Sequence, residues 1–267
     1  MLPTVTSDPK EIWTRIAPWW DNVLGEGNEF QLQLIMPATD RLLAVRPGDR
    51  ILDLACGNGN YSRRLARAGA NVLAVDVAEP FIQAARRRTT QTDGQIEYRT
   101  VDLTDDTTLN QLGSSEEFDA AVCSMALMDL PTLDPLLNRL ITLLKPGGRF
   151  VFSIPHPCFN SPRVRMTAEL INQDGKPEQL YGLTVFSYLD EQADLSFGML
   201  NQPEPHYLYH RPLSLLIRTF AKHGFLLDAL EEPSFPTPSG GGGKNAFSWK
   251  MRPNIPPALV TRMLKPQ

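Results

Sequence analysis

Arg50-Ile-Leu-Asp-Leu-Ala-Cys-Gly-Asn-Gly-Asn60 begins as an apolar run and ends as a glycine-rich turn. A run this short, closed by two glycines, predicts a buried strand over Ile51 to Ala55. Glycine has no Cβ, so the backbone from Cys56 to Asn60 can come close to a ligand where the next helix starts. Working outward, further strands are expected at Asn71 to Val77, Ile96 to Val101, Phe118 to Ser124 and Arg149 to Ile154. Helical spacing falls between them, at Tyr61 to Ala68, Pro80 to Thr89 and Leu133 to Leu144. Lys145-Pro-Gly-Gly148 reads as the turn from the last of these helices into its strand. Strands and helices in alternation make crossover units, which predicts an α/β, doubly wound, mostly parallel sheet.

The flanks carry other signals. All 267 residues are read as one domain, with residues 1–49 a helical cap, 50–155 the cofactor core, 156–211 an insertion and 212–267 a helix with two last strands. Ser7-Asp8-Pro9 is a helix start, followed by Trp13, Ile16, Ala17 and Trp20 at helical spacing. Pro18 removes a backbone donor, so that helix is expected to end or kink near Ala17 and leave Trp19 and Trp20 on an irregular turn. A second helical stretch, Glu29 to Leu43, is expected to be interrupted at Pro37. After Ile154 the alternation fails for about fifty residues, too long for a plain connection and suited to a lid or substrate-binding segment. Then come a helix over Pro212 to His223, a strand over Phe225 to Ala229, a linker over Ser239 to Gly243 and a seventh strand over Asn245 to Met251.

Composition narrows the function classes. The formal charge of -4 argues against a nucleic-acid partner, which needs a clustered cationic surface. Arg86-Arg-Arg88 follows an apolar helical stretch and reads as a solvated helix end. No apolar run is long enough to span a bilayer, and Met1 to Lys10 lacks the features of a secretory signal, so no membrane role and a cytoplasmic location are expected. Cys56, Cys123 and Cys158 are widely spaced and odd in number, which supports neither a disulfide framework nor a metal site.

Acidic residues at strand ends point to a nucleoside cofactor. Asp76 closes the second strand, where its carboxylate can accept from both hydroxyls of a ribose. A dinucleotide site would want a third glycine where Ser62 stands, and Asp53 before the turn would repel a pyrophosphate. The same carboxylate suits a cofactor that carries ammonium and sulfonium charges. Asp102 and Leu103, after the third strand, offer an acceptor and an apolar contact for an adenine.

From Ile51 to Ile154 the chain resembles the class I S-adenosylmethionine-dependent methyltransferase family. Asp53-Leu-Ala-Cys-Gly-Asn-Gly59 is similar to its first motif, Asp76 to the acidic second and Val101-Asp-Leu103 to the third. Phe118-Asp-Ala-Ala-Val-Cys-Ser-Met125 and Leu144-Lys-Pro-Gly-Gly148 resemble the fourth and fifth. The resemblance implies S-adenosylmethionine as cofactor, its methionine part held at Asp53, Gly57 and Gly59, with Ala55, Cys56 and Asn58 of the same loop also cofactor-binding. It further implies ribose contacts from Asp76 and Val77, adenine contacts from Asp102 and Leu103, and a cavity lined by Ser124 and Met125. Trp13-Thr-Arg-Ile-Ala-Pro-Trp-Trp-Asp21 is similar to a cofactor-covering segment in the ubiquinone/menaquinone-biosynthesis-like branch, which would set Trp20 over the sulfonium.

Methyl transfer chiefly requires alignment and exclusion of water, with a general base where the acceptor is a hydroxyl. His156, after the fifth strand, and His210, before the next helix, are the candidate bases, while His206 and His223 read as structural or exposed. Arg211 suits a substrate anion or an ion pair, and Asp129 either faces the cleft or caps the helix near Pro131. The aromatic and methionine content of the insertion, from Phe159 to Tyr209, leans toward a small acceptor of aromatic or apolar character. An NAD(P)-dependent oxidoreductase and a non-catalytic cofactor-binding protein are the competing readings.

Overall fold

The computed structural model describes residues 8–236 and 245–267. Ser7 and the Ser239 to Gly243 linker lie outside the described residues. The core alternates β1 (Arg50–Leu54), α3 (Asn60–Arg67), β2 (Asn71–Asp76), α4 (Glu79–Arg88), β3 (Ile96–Thr100), a short α5 (Asp106–Leu109), β4 (Phe118–Ser124), α6 (Asp134–Leu143) and β5 (Leu144–Pro155). Before it come α1 (Pro9–Leu24) and α2 (Met36–Leu43). After it come β6 (Val164–Gln173), β7 (Lys176–Val185), β8 (Gln192–Ser196), β9 (His206–His210), α7 (Leu213–Lys222), β10 (Leu226–Glu231) and β11 (Ala258–Leu264).

The seven-stranded sheet runs β3-β2-β1-β4-β5-β11-β10. Its first five strands are parallel, and β11 lies antiparallel to both β5 and β10. This is the doubly wound, mostly parallel α/β sheet expected from the sequence. The central strands β1, β2 and β4 are mostly apolar and buried because helices cover both faces, whereas the edge strands β3 and β10 carry charged and exposed positions. Leu52, Leu73, Cys123 and Phe150 face a layer that includes Leu136, Leu140 and Phe220 of α6 and α7. Ile51, Val72, Val122 and Val151 face the other way, onto Leu42, Leu65 and Ile82 of α2, α3 and α4. Phe152 and Phe220 stack with centroids 4.9 Å apart. Burying a ring of that size contributes roughly 1.5–3 kcal/mol.

Tertiary packing changes several local expectations. Helix α1 runs unbroken through Pro18. Its buried Ile12, Ile16 and Ala17 dock on both sides, against Tyr207 and Tyr209 of β9 and against Phe81 of α4, and hold the helix across the missing hydrogen bond. Trp19 and Trp20 are therefore helical. Pro37 breaks nothing either: a π-turn over Gln31–Ile35 precedes it, with the Met36 N–H donating to Gln31 O, and the widened turn accommodates the proline.

The insertion consists of two hairpins, β6-β7 and β8-β9. Asn245 to Met251 is not a strand. The Asn245 side chain accepts from the Phe247 N–H, and Trp249–Met251 forms a 3₁₀ turn, so the seventh strand is the later Ala258–Leu264. Lys145 to Gly148 does not precede β5 but is looped out within it, since Phe118 pairs with Leu144 and Ala120 with Arg149. Arg88 is not a solvated helix end: its Nε lies 2.6 Å from Asp21 Oδ1 and ties α4 to α1.

Candidate functional site

Strand order reverses between β1 and β4, and a crevice opens at the carboxyl ends of strands where this happens. Here it is a cavity of about 710 Å³, floored by the strand tips and walled by α1, the turn after β4 and the β8-β9 hairpin. Asp53, Asp76, Asp102, Ser124 and Met125 line it.

Asp53 is buried near the end of β1, and its Oδ2 accepts from the Ser62 hydroxyl at 2.5 Å. Burial pushes its carboxyl up to about 7, opposed by the Ser62 hydrogen bond and reinforced by the charge of Asp76. Asp76 accepts the Gly57 N–H on Oδ2 and the Ala78 N–H on Oδ1, each at 2.9 Å. Burial lifts it to about 6 against the backbone hydrogen bonds from Ala78, Gly57 and Val77. Two buried carboxyls of raised proton affinity on one cavity wall favour a cationic ligand, whose charge would offset the burial of theirs. Asp102 Oδ1 accepts from the Thr104 N–H and hydroxyl at 2.9 and 2.7 Å, which orders the loop after β3.

The two glycines do different work. Gly57 has φ +56°, and a Cβ built on it would meet nothing within 4 Å. It opens to the cavity. Gly59, also left-handed at φ +74°, would place a Cβ 2.5 Å from the Tyr98 hydroxyl and 3.0 Å from Ala85. It is needed for packing and, contrary to expectation, does not line the cavity. Ala55 and Met125, at the ends of β1 and β4, hold φ of 54° and 55°, where a side chain costs roughly 1 kcal/mol or more. The Met125 N–H donates to Ser153 O at 2.9 Å, which fixes that strained turn. Asn58 faces α1, its Nδ2 donating to Asp21 Oδ1 at 3.0 Å and to Gly25 O at 2.9 Å. Cys56 and Val77 complete the floor.

The opposite wall differs from the sequence expectation. His156 is buried away from the cavity, with Nε2 2.8 Å from Glu232 Oε1 and Nδ1 accepting from the Cys158 N–H. His210 lies outside it as well, its Nε2 2.8 Å from Tyr188 O. Both read as fasteners. Arg211 turns its guanidinium to the carbonyls of Leu127, Leu130 and Pro131. The histidine in the cavity wall is His206, buried and not exposed, and Asp129 Oδ1 stands 3.6 Å from its Nε2. Asp129 does not cap α6, which begins at Asp134. In His206-Tyr-Leu-Tyr-His210 the tyrosines pack with Ile12 and Ile16 of α1 while His206 and Leu208 line the cavity, a division that strand alternation suggests but that does not separate His206 from His210. Trp20 lines the same wall, with a buried Nε1 that has no partner. Burial pushes His206 down to about 4 and Asp129 well above the usual carboxylate range, Asp129 further raised by the charge of Asp76.

A family model described as a methyltransferase domain matches residues 51–148. The part of the chain that matches it is the sheet core from β1 to the start of β5. The open face of Gly57 beside the buried carboxyls of Asp53 and Asp76 fits a cationic thioether nucleoside such as S-adenosylmethionine. Among curated relatives, a ubiquinone biosynthesis O-methyltransferase of Xanthomonas campestris is 35% identical over 138 residues, 51% of this chain and 55% of that one. The chain spans about half the length of the curated relatives it matches. In fold it resembles an S-adenosylmethionine-dependent methyltransferase of Mesorhizobium loti, with TM-score 0.65, 25% identity and coverage of 85% of this chain and 96% of the other. A putative methyltransferase of Listeria monocytogenes gives TM-score 0.65 at 24% identity, covering 87% and 96%. A Synechocystis magnesium protoporphyrin IX methyltransferase with bound cofactor gives 0.57 at 17%, covering 98% and 100%.

Proposed function

We propose that the chain transfers a methyl group from S-adenosylmethionine to an oxygen of a small molecule with an aromatic or apolar body. The observation that carries this reading is the continuity of one cavity from Asp53 and Asp76 at the strand tips to Trp20 and His206 under α1. When bound, the cofactor supplies an electrophilic methyl on a sulfonium that leaves as a neutral thioether. In this reading Asp53 and Gly57 hold its methionine part, with Ala55, Cys56 and Asn58 shaping the loop. Asp76 and Val77 take the ribose, Asp102 and Leu103 the adenine, while Ser124 and Met125 line the space beside the methyl. Trp20 covers it, since a sulfonium is stable against an indole face.

The acceptor end is walled by Phe197, Met199, Met128, Leu130 and Trp249, which favour a flat or apolar body and keep water away. The Xanthomonas relative's description as an O-methyltransferase supports oxygen as the atom methylated. A pyrophosphate cofactor is disfavoured because Ser62 fills the third glycine position with its hydroxyl committed to Asp53. A cytoplasmic setting agrees with three free thiols at Cys56, Cys123 and Cys158.

Calorimetric titration with S-adenosylmethionine and with NADH, followed by incubation of the protein and isotopically labelled donor with a small-molecule extract, tests the reading. Donor binding and a labelled small-molecule product are expected. Saturable NADH binding without donor binding would overturn it.

A further inference from the structure

Asp129 is the least compensated carboxyl in the cavity wall. Its Oδ1 is buried without a hydrogen-bond partner, and an unpaired buried carboxylate costs several kcal/mol unless it is neutral or engaged by a ligand. The neighbour 3.6 Å away, His206 Nε2, has its protonation fixed by a chain of contacts. The Gly198 N–H donates to Gln202 Oε1 at 3.0 Å, so the Gln202 amide nitrogen faces His206 Nδ1, also at 3.0 Å, and donates to it. A neutral His206 therefore carries its hydrogen on Nε2, toward Asp129. Trp13 clamps the imidazole, with ring centroids 4.8 Å apart. Arg211 pins the turn that carries Asp129 through the carbonyls of Leu127 and Leu130.

We propose that Asp129, set in place by His206, takes the proton from the methyl acceptor, and that the acceptor is accordingly a weakly acidic hydroxyl. This rests on the methyl-transfer reading. The acceptor oxygen forms its bond to the methyl carbon, the carbon–sulfur bond breaks with its electron pair going to sulfur, and the hydroxyl proton passes to the Asp129 carboxylate. One cation and one anion enter the step, and a neutral thioether and a neutral carboxyl leave it. In a dry cavity that cancellation of charge favours the transition state. Arrival of the sulfonium also prepares the base, because a nearby positive charge favours the ionised form of Asp129. His206 is the positioning residue, its Nε2–H directed at the carboxylate.

The coupling is measurable without an acceptor. Asp129 is faced by His206 and Tyr209 of β9, Cys123 of β4, Asp76 of β2 and the nearby Arg211. At pH 8 Asp53 and Asp76, at about 7 and about 6, are already largely ionised, whereas burial and the charge of Asp76 hold Asp129 toward its protonated form. Calorimetry in phosphate and in Tris, buffers of different ionisation enthalpy, then counts protons released by the sulfonium donor and by its neutral product, S-adenosylhomocysteine. The wild-type chain is expected to release about one more proton with the donor than with the product, and Asp129→Asn to abolish that difference. With the acceptor found by labelling, Asp129→Asn lowers kcat about 100-fold. His206→Leu moves the acid limb of the pH–rate profile up by roughly one unit, and His206→Gln, which keeps a donor, restores it.

Equal proton release for both ligands in the wild type, or an undiminished difference in Asp129→Asn, overturns the assignment of Asp129 alone. Failure of both ligands to bind overturns the methyl-transfer reading and this assignment with it.

Discussion

Asn58 Nδ2 and Asp21 Oδ1 lie 3.0 Å apart and join the glycine loop of the sheet to the helix that roofs it. Asp21 also receives Arg88, with Nε at 2.6 Å, so one carboxylate holds α1, α4 and the loop together. Replacing Asn58 by Ala leaves Gly25 O without this donor and removes one of the contacts of Asp21. A partly buried hydrogen bond to a charged group is worth about 1.5–3 kcal/mol. Asn58→Ala is expected to weaken donor binding about tenfold and to speed amide exchange over residues 9–24 while the sheet amides stay protected. Hydrogen exchange with and without donor checks this; unchanged protection in α1 would show that the roof is held elsewhere.

Gly57 and Gly59 separate a binding position from a folding one. Alanine at 57 meets open space and bears only the strain of a left-handed φ, about 1 kcal/mol. Its methyl intrudes on the cavity, so Gly57→Ala is expected to lose at least tenfold in donor affinity with a small fall in Tm. Alanine at 59 would collide with the Tyr98 hydroxyl at 2.5 Å as well as bear the strain, and is expected to lose about 2–4 kcal/mol of stability. Thermal unfolding paired with titration distinguishes the two, and equal loss of stability in both variants would refute the division.

The strands of the core were legible because parallel strands covered on both faces must be apolar, and Ile51 to Leu54 or Phe118 to Cys123 are unbroken apolar runs apart from one acid each. The prolines misled because their local effect is decided by distant packing: α1 holds through Pro18 only because Ile16 and Ala17 dock on two partners. Ala258–Leu264 was hidden behind Pro253, Pro256 and Pro257, which punctuate the chain without revealing that a strand follows. His206 stands between Pro205 and Tyr207, a local sequence that carries no sign of a site. Its meaning comes from Asp129, 77 positions away in the chain, and no local period records that pairing.

The buried carboxyls give the protein a pH signature. The folded-state value of Asp53, about 7, lies above its ordinary 3.8, so its contribution to stability is fully present below about 4 and lost as pH rises through about 7. Asp76, raised to about 6, acts in the same sense, while His206, lowered to about 4, loses stability in the opposite direction as pH falls below 6.5. Comparing Asp53→Asn with the wild type isolates the first of these. The variant is expected to escape about 2–4 kcal/mol of the stability that the wild type loses between pH 5 and pH 8, read by urea unfolding. Parallel pH profiles would mean that Asp53 is not strained by its burial.

The three histidines give the sharpest separation of fastening from chemistry. His156 joins the end of β5 to Glu232 at 2.8 Å, and His210 joins β9 to Tyr188 O at 2.8 Å, with no part of either in the cavity wall. Alanine at either position removes a buried hydrogen bond, so each is expected to lower stability by about 1–3 kcal/mol and to leave kcat within a few-fold of wild type. His206→Leu keeps comparable bulk against Trp13 but removes the hydrogen directed at Asp129, and is expected to lower kcat more than tenfold with little change in donor affinity. Unfolding curves and turnover of the labelled donor on all three variants decide it. A large loss of kcat in folded His210→Ala, with His206→Leu active, would move the chemistry from the main cavity to the smaller one beside Tyr209.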